Sequence, residues 1–182
     1  MTRACGTCTL CCKLVPVREL NKGAGERCKH QRATGCRIYA DRPPSCRFWS
    51  CMWLVNDING DTVDLRRPDR SHYAIDMLPD FVVMRDDNTG AEIKVPVLQI
   101  WCDPAFPNAH RDPELRAFLI RRGREGIGAL VRFGSQGRAI ALFPPSLASD
   151  GEWHEYESNN TQPQHTAAEI NALVSVKLEG DP

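Results

Sequence analysis

Eight of the nine cysteines in this 182-residue chain fall within residues 1–51. That crowding constrains the fold more than any other feature. The same stretch has little apolar periodicity, and Gly23, Gly25, Pro43 and Pro44 punctuate it as loops and short turns. A segment so polar builds little core by itself, so something other than apolar burial must order it. Charge is divided at the same place. Residues 1–51 carry ten Lys/Arg against three acids, a formal +7, and the remaining 131 carry thirteen against twenty, a formal −7. The zero total is a cancellation, and it argues against a dedicated polyanion binder.

Disulfides and metal ligation compete for so many thiols. Met1, Thr2 and Arg3 lead straight into cysteines, with no apolar stretch of the secretory type. Runs such as Val95–Trp101 fall far short of the ~20 apolar residues a membrane helix needs. The expectation is a cytoplasmic chain with no membrane contact, where thiols stay reduced and dense cysteine patterns more often mean metal or catalysis. The adjacent Cys11 and Cys12 and the odd total also weigh against a disulfide framework.

The ordered set is Cys5, Cys8, Cys11, Cys12, Cys28, Cys36, Cys46 and Cys51, opening as Cys-x-x-Cys-x-x-Cys-Cys. Two-residue spacers let a tight turn bring two thiolates to one ion at the ~2.3 Å of a Zn–S bond. Cys5, Cys8 and Cys11 match the first three ligands of a bacterial ferredoxin run, whose fourth follows three residues later and precedes proline. Here Cys12 is immediate, and Lys13 and Leu14 follow. A zinc ribbon requires a second Cys-x-x-Cys, whereas the later cysteines are separated by seven, nine and four residues. All eight are candidate metal ligands, enough for one four-ligand site with spares or for two tetrahedral sites. Zinc is slightly favoured over an iron–sulfur cluster, and a metal ion is the expected partner.

The run Cys5-Gly6-Thr7-Cys8-Thr9-Leu10-Cys11-Cys12, then Cys28, then Cys36-Arg37-Ile38-Tyr39-Ala40-Asp41-Arg42-Pro43-Pro44-Ser45-Cys46-Arg47, resembles the CxxCxxCC family of zinc- or iron-chelating cysteine-cluster proteins. The likeness covers residues 5–47. Cys51 and Trp53, with Arg67–Ser71 behind them, resemble a branch in which the cluster precedes a β-rich extension. The resemblance implies a metal-chelating module and no particular reaction, since the family has no single activity; a related module occurs in flagellin lysine methylases. It also implies that Arg42, Arg47, Arg37 and Lys13 act as counter-charges to bound thiolates. Eight thiolates with two Zn²⁺ carry a net −4, which would leave the front near +3, an ordinary surface, so nucleic acid is disfavoured as a partner. A protein partner stays open.

The rest of the chain reads as α+β: an irregular, metal-bound cysteine-rich segment packed on a small, mostly antiparallel sheet with one or two helices. The divisions are residues 1–53 for the cysteine cluster, 54–156 for the α+β extension, and 157–182 for a linker and C-terminal helix. Phe81–Met84 and Ala91–Val95 flank Asp86–Gly90 as a hairpin, with Val97–Trp101 continuing the second strand and Pro96 marking an edge or bulge. Ala129–Phe133 and Arg138–Phe143 make a second hairpin. Between them, Asp112 as N-cap and Pro113 at the first position start a helix with Leu115, Phe118 and Leu119 inward and Gly123 as its stop. Thr166 and Glu169 form a capping box for a last helix.

Smaller signals weigh less. His30 could ligate metal, but eight thiols make it redundant. Cys102 has no partner spacing and reads as a small buried hydrophobe. Asp57–Thr62 has Thr62 at the sixth position and Pro68 at the twelfth, where a calcium loop needs Gly and Glu, and reads as a turn. Arg66, Arg67, Arg70 and His72 form a cluster that could bind an anion, although a solvated turn is the commoner fate of such charges. No general acid–base pair or activated nucleophile stands out.

Overall fold

The computed structural model describes residues 3–55, 65–85, 89–134 and 138–158. The turn at Asp57–Thr62 and the helix expected from Thr166 lie outside them. The front segment is a chain of short elements: α1 (Leu10–Leu14), a 3₁₀ turn (Arg18–Leu20), the two-residue strands β1 (Gln31–Arg32) and β2 (Gly35–Cys36), then α2 (Pro44–Phe48), α3 (Met52–Val55) and α4 (Pro68–Ser71). None of its helices exceeds five residues, well short of the ~12 that stand alone in water, so packing must hold them.

Behind this lies a five-stranded sheet of β3 (Tyr73–Arg85), β4 (Glu92–Cys102), β5 (Gly128–Phe133), β6 (Ala139–Phe143) and β7 (His154–Ser158), in that spatial order. Every neighbouring pair is antiparallel except β4/β5. A parallel pair needs a crossover, supplied by a second 3₁₀ turn (Ala109–Arg111) and α5 (Pro113–Arg124). The fold is therefore α+β with a mostly antiparallel sheet. Among the described residues no helix is long and apolar enough to cross a membrane.

Both expected hairpins form. Pro96 pairs with Phe81 on one side, and the β5 ladder begins only at Val97, so the proline sits where β4 is still an edge. The register break falls on the other strand, between Ile75 and Pro79. Helix α5 starts as its residues dictate, with the Asp112 carboxylate accepting the amides of Glu114 and Leu115 at 2.9 and 3.3 Å.

Gly123 does not stop α5. It lies inside the helix, where a Cβ would meet Ser146 Oγ at 2.3 Å and Pro144 Cγ at 2.5 Å. The left-handed glycine just past the helix is Gly126, at φ +80°. β7 is an addition: it runs across the expected boundary at residue 157 between the α+β extension and the linker, and pairs with β6 from Phe143↔His154 to Ala139↔Ser158.

Alternation sorts the sheet into two faces. Leu98, Ile100, Ala129, Val131 and Leu142 pack with Leu115, Phe118 and Leu119 of α5. Phe118 is fully buried, an environment where such a side chain contributes roughly 1.5–3 kcal/mol. On the opposite face Val97, Leu130, Ala141 and Phe143 form a second layer, and Trp101 packs against Leu10 and Leu14 of α1. That face also carries a buried polar ladder across three strands. Gln99 Nε2 donates to Asp80 at 2.8 Å, Arg132 Nε donates to Gln99 Oε1 at 3.0 Å, and Arg132 lies 3.6 Å from Asp80.

Candidate metal centre

The opening Cys5–Cys8 turn closes with the Cys8 amide on the Cys5 carbonyl at 2.9 Å, and Gly6 takes φ +52° within it. Cys11 and Cys12 then occupy adjacent positions of α1, about 100° apart around a helix. Their thiols still touch through a hydrogen bond, which holds Cys11 well above its ordinary pKa and lowers Cys12 to about 7. The later cysteines approach from separate elements.

Cys12 faces one group. The Cys28 amide donates to the Cys12 carbonyl at 2.9 Å, fastening that loop under α1. β1 and β2 fold back so that Cys36 pairs with Gln31, and Gln31 is tied to Thr9 by a 2.8 Å side-chain bond. α2 brings Cys46; the Glu19 carboxylate accepts from both the amide and the hydroxyl of Ser45, at 3.0 and 2.6 Å. Burial raises the Cys46 thiol, and the neighbouring Cys12, Cys28 and Cys36 raise it further.

Cys11 faces the other. Cys51 is buried at the head of α3 and bridges to Asp76 of β3. The Arg3 guanidinium donates to the Trp53 carbonyl at 3.0 Å, so the start of the chain lies against this helix. Burial pushes Cys51 up to about 11, with Cys5 and Cys8 adding to the rise. Cys11 is raised in turn by Cys5 and Cys51. Apart from the Cys11–Cys12 contact, the thiols that act on one another sort into Cys5, Cys8, Cys11 and Cys51, and Cys12, Cys28, Cys36 and Cys46. The Cys11–Cys12 peptide is the seam.

Donors and positive charge surround both groups. The His30 amide points at Cys28 Sγ from 3.5 Å. Burial raises Cys8, while backbone hydrogen bonds from Leu10 and Asp69 and the Arg67 charge oppose that. Lys22 is buried, with Nζ donating to the carbonyls of Val15 and Gly23 at 2.5 and 3.2 Å. Burial lowers its pKa, and nearby Cys28 and Cys12 pull it back up. Of the counter-charges expected from sequence, Arg42 acts on Cys12. Lys13 instead pairs with Asp103 at 2.6 Å, and Arg47 donates to the carbonyls of Arg42 and Ala40. Lys22 and Arg67 are not among the expected counter-charges, since neither lies within two residues of a cysteine, although Arg67 belongs to the Arg66–His72 cluster.

All nine cysteines are free thiols. Cys102 is apart from the rest, 1% exposed in the core beneath α5, where burial pushes it up to about 12. Among the described residues no three His, Cys, Asp or Glu side chains stand close enough together to hold an ion. By donor chemistry the eight front thiols suit a thiophilic metal: none is in a disulfide, amides are directed at Cys8 and Cys28, and the buried Lys22 ammonium lies near Cys28 and Cys12. Their sulfurs do not converge. Comparison of the chain with family models, with curated proteins and with solved structures finds no match.

Proposed function

We propose that the front segment is a thiolate metal-binding unit for two zinc ions, one held by Cys5, Cys8, Cys11 and Cys51 and the other by Cys12, Cys28, Cys36 and Cys46. The observation that carries this is the division of eight thiols into two neighbourhoods of four, the number of ligands in a closed structural zinc site. Loading would draw each set of sulfurs together. Binding free energy is then folding free energy, of order 10 kcal/mol per structural zinc, which suits a segment built from helices too short to stand alone. The role is structural or metal-handling, and no reaction is assigned. Free thiols accord with a cytoplasmic setting, and the resemblance to the CxxCxxCC cluster family supports the same reading.

A second reading has one specific support. Amides directed at sulfur, as at Cys8 and Cys28, are the contacts that tune iron–sulfur clusters. An electron-transfer or enzyme-supporting cluster would use the Cys5, Cys8 and Cys11 run. A zinc module that binds nucleic acid or protein is the remaining alternative.

Anaerobic purification, elemental analysis and a visible spectrum separate these readings. Two zinc per chain and no colour are expected. Cys8→Ser and Cys36→Ser should each lower zinc by one, the double variant should lose both, and Cys8→Ser with Cys51→Ser should lose only one. Cys102→Ser should keep the full complement. Brown protein containing iron and acid-labile sulfide would overturn the zinc assignment; protein from zinc-replete medium that carries no metal would overturn both. Salt-sensitive retention on heparin would instead favour the nucleic-acid module.

A further inference from the structure

A cleft of about 490 Å³ lies beyond the thiols, between α4 and the 103–112 segment. Its walls include Arg66, Arg70, His72, Phe106, Arg111 and Asp112. We propose that this cleft binds a small phosphomonoester that carries a planar ring.

The charges are unevenly committed. Arg66 is held by the carboxylates of Asp112 and Glu114, the latter at 3.0 Å. Among the described residues Arg111 pairs only with Glu155, at 3.3 Å, and its side chain remains 61% exposed. Arg70 forms no ion pair among the described residues and is exposed. Two exposed guanidiniums that line the cleft therefore keep donors to spare, and their forked geometry matches phosphate oxygens. The Asp112 carboxylate is already engaged, because it caps α5 and pairs with Arg66.

His72 supplies the second observation. It adopts left-handed backbone geometry, φ 62°, a conformation that costs a non-glycine residue of order 1 kcal/mol. The α4 turn needs that geometry, since His72 is its C-cap and its carbonyl accepts from the Asp103 amide at 2.9 Å. Glycine would serve the turn better. Histidine instead lays its ring flat on Phe106, centroids 3.5 Å apart and planes 3° from parallel. Phe106 is itself 44% exposed. Strain retained at a cleft wall points to use of the side chain. The stacked pair forms an aromatic shelf beside the arginines, suited to a flat ring whose phosphate reaches Arg70 and Arg111.

Calorimetry on the full chain, with adenosine monophosphate and inorganic phosphate as probes, tests this. Saturable binding of the nucleotide at millimolar or lower concentration is expected, at least tenfold tighter than phosphate alone. Arg70→Ala with Arg111→Ala should weaken it at least tenfold. His72→Gly relieves the backbone, so it should hold or raise the unfolding temperature while weakening the nucleotide at least fivefold. No saturable nucleotide binding, or equal affinity for phosphate, would overturn the proposal. So would unchanged affinity in either variant.

Discussion

His110 shows how one buried side chain sets a pH limit on this fold. It is 3% exposed, its Nδ1 donates to the Pro107 carbonyl at 3.0 Å, and its ring meets Phe133 edge-on at 5.7 Å. Nε2 is buried with no partner among the described residues. A proton placed there would find no acceptor. Burial accordingly lowers the His110 pKa; Glu155 of β7 pulls it up, while Arg116 of α5 and Arg111 push it further down. The folded pKa thus lies below the unfolded value of about 6.5. Above that value both states are neutral and the residue adds no pH dependence. As pH falls below about 6.5 the unfolded chain takes the proton first, and stability is lost until the folded pKa is reached. The melting temperature of the wild type should therefore drop between neutral pH and about pH 5 more steeply than that of His110→Gln. Parallel curves for the two proteins across that window would show that His110 is not the cause.

The two glycines around the end of α5 show what an element's own sequence can and cannot say. Alanine in an exposed helix ordinarily gains roughly 0.5–1 kcal/mol over glycine, so Gly123→Ala would be read as stabilising. The contacts with Pro144 and Ser146 reverse the sign. A loss of about 1–3 kcal/mol is expected from overpacking, measured by denaturant unfolding. Gly126→Ala, with open space around its Cβ but a positive φ, should lose about 1 kcal/mol. A Gly123→Ala protein at least as stable as wild type would contradict the close packing. Local chemistry was legible in the sequence. Asp112 and Pro113 announce the helix start, and the Asp86–Gly90 and Gly134–Gly137 stretches announce two hairpins. Partners far along the chain were not. Val97–Cys102 and Gly128–Phe133 are apolar toward both faces except at Gln99 and Arg132, so alternation cannot state that they lie side by side and parallel. β7, an edge strand among the described residues, has no apolar alternation to announce it, since Glu155 and Glu157 are charged, although charge is what an edge strand tolerates. The same limit governs the thiols. Spacing identified eight candidates, but their sorting depends on Cys51 returning to the start of the chain and Cys28 folding under Cys12.

At the scale of the molecule, the basic front and the acidic remainder meet at a specific junction. Lys13 Nζ bonds both oxygens of Asp103, at 2.7 and 2.6 Å, where β4 ends. Next to it, Leu10 and Leu14 pack on Trp101, two residues before Asp103 at the end of β4. α1 thus carries Cys11 and Cys12 while its other residues anchor the front segment to the sheet. Asp103 is only 7% exposed at its side chain, whereas Lys13 is 36% exposed. Removing the carboxylate charge frees an ammonium that water can still reach, so the cost falls below that of a fully buried pair, at about 1–2 kcal/mol. Asp103→Asn keeps a side-chain oxygen to accept the hydrogen bond that the Ala105 amide donates at 3.0 Å, and so isolates the ion pair from the turn. This variant should unfold at lower denaturant and expose residues 3–51 to faster proteolysis, while its zinc content stays at the wild-type value because no thiol is touched. If zinc falls with stability, docking on the sheet is needed to assemble the thiol sets. If neither stability nor proteolysis changes, the apolar contact with Trp101 holds the two parts together without the ion pair.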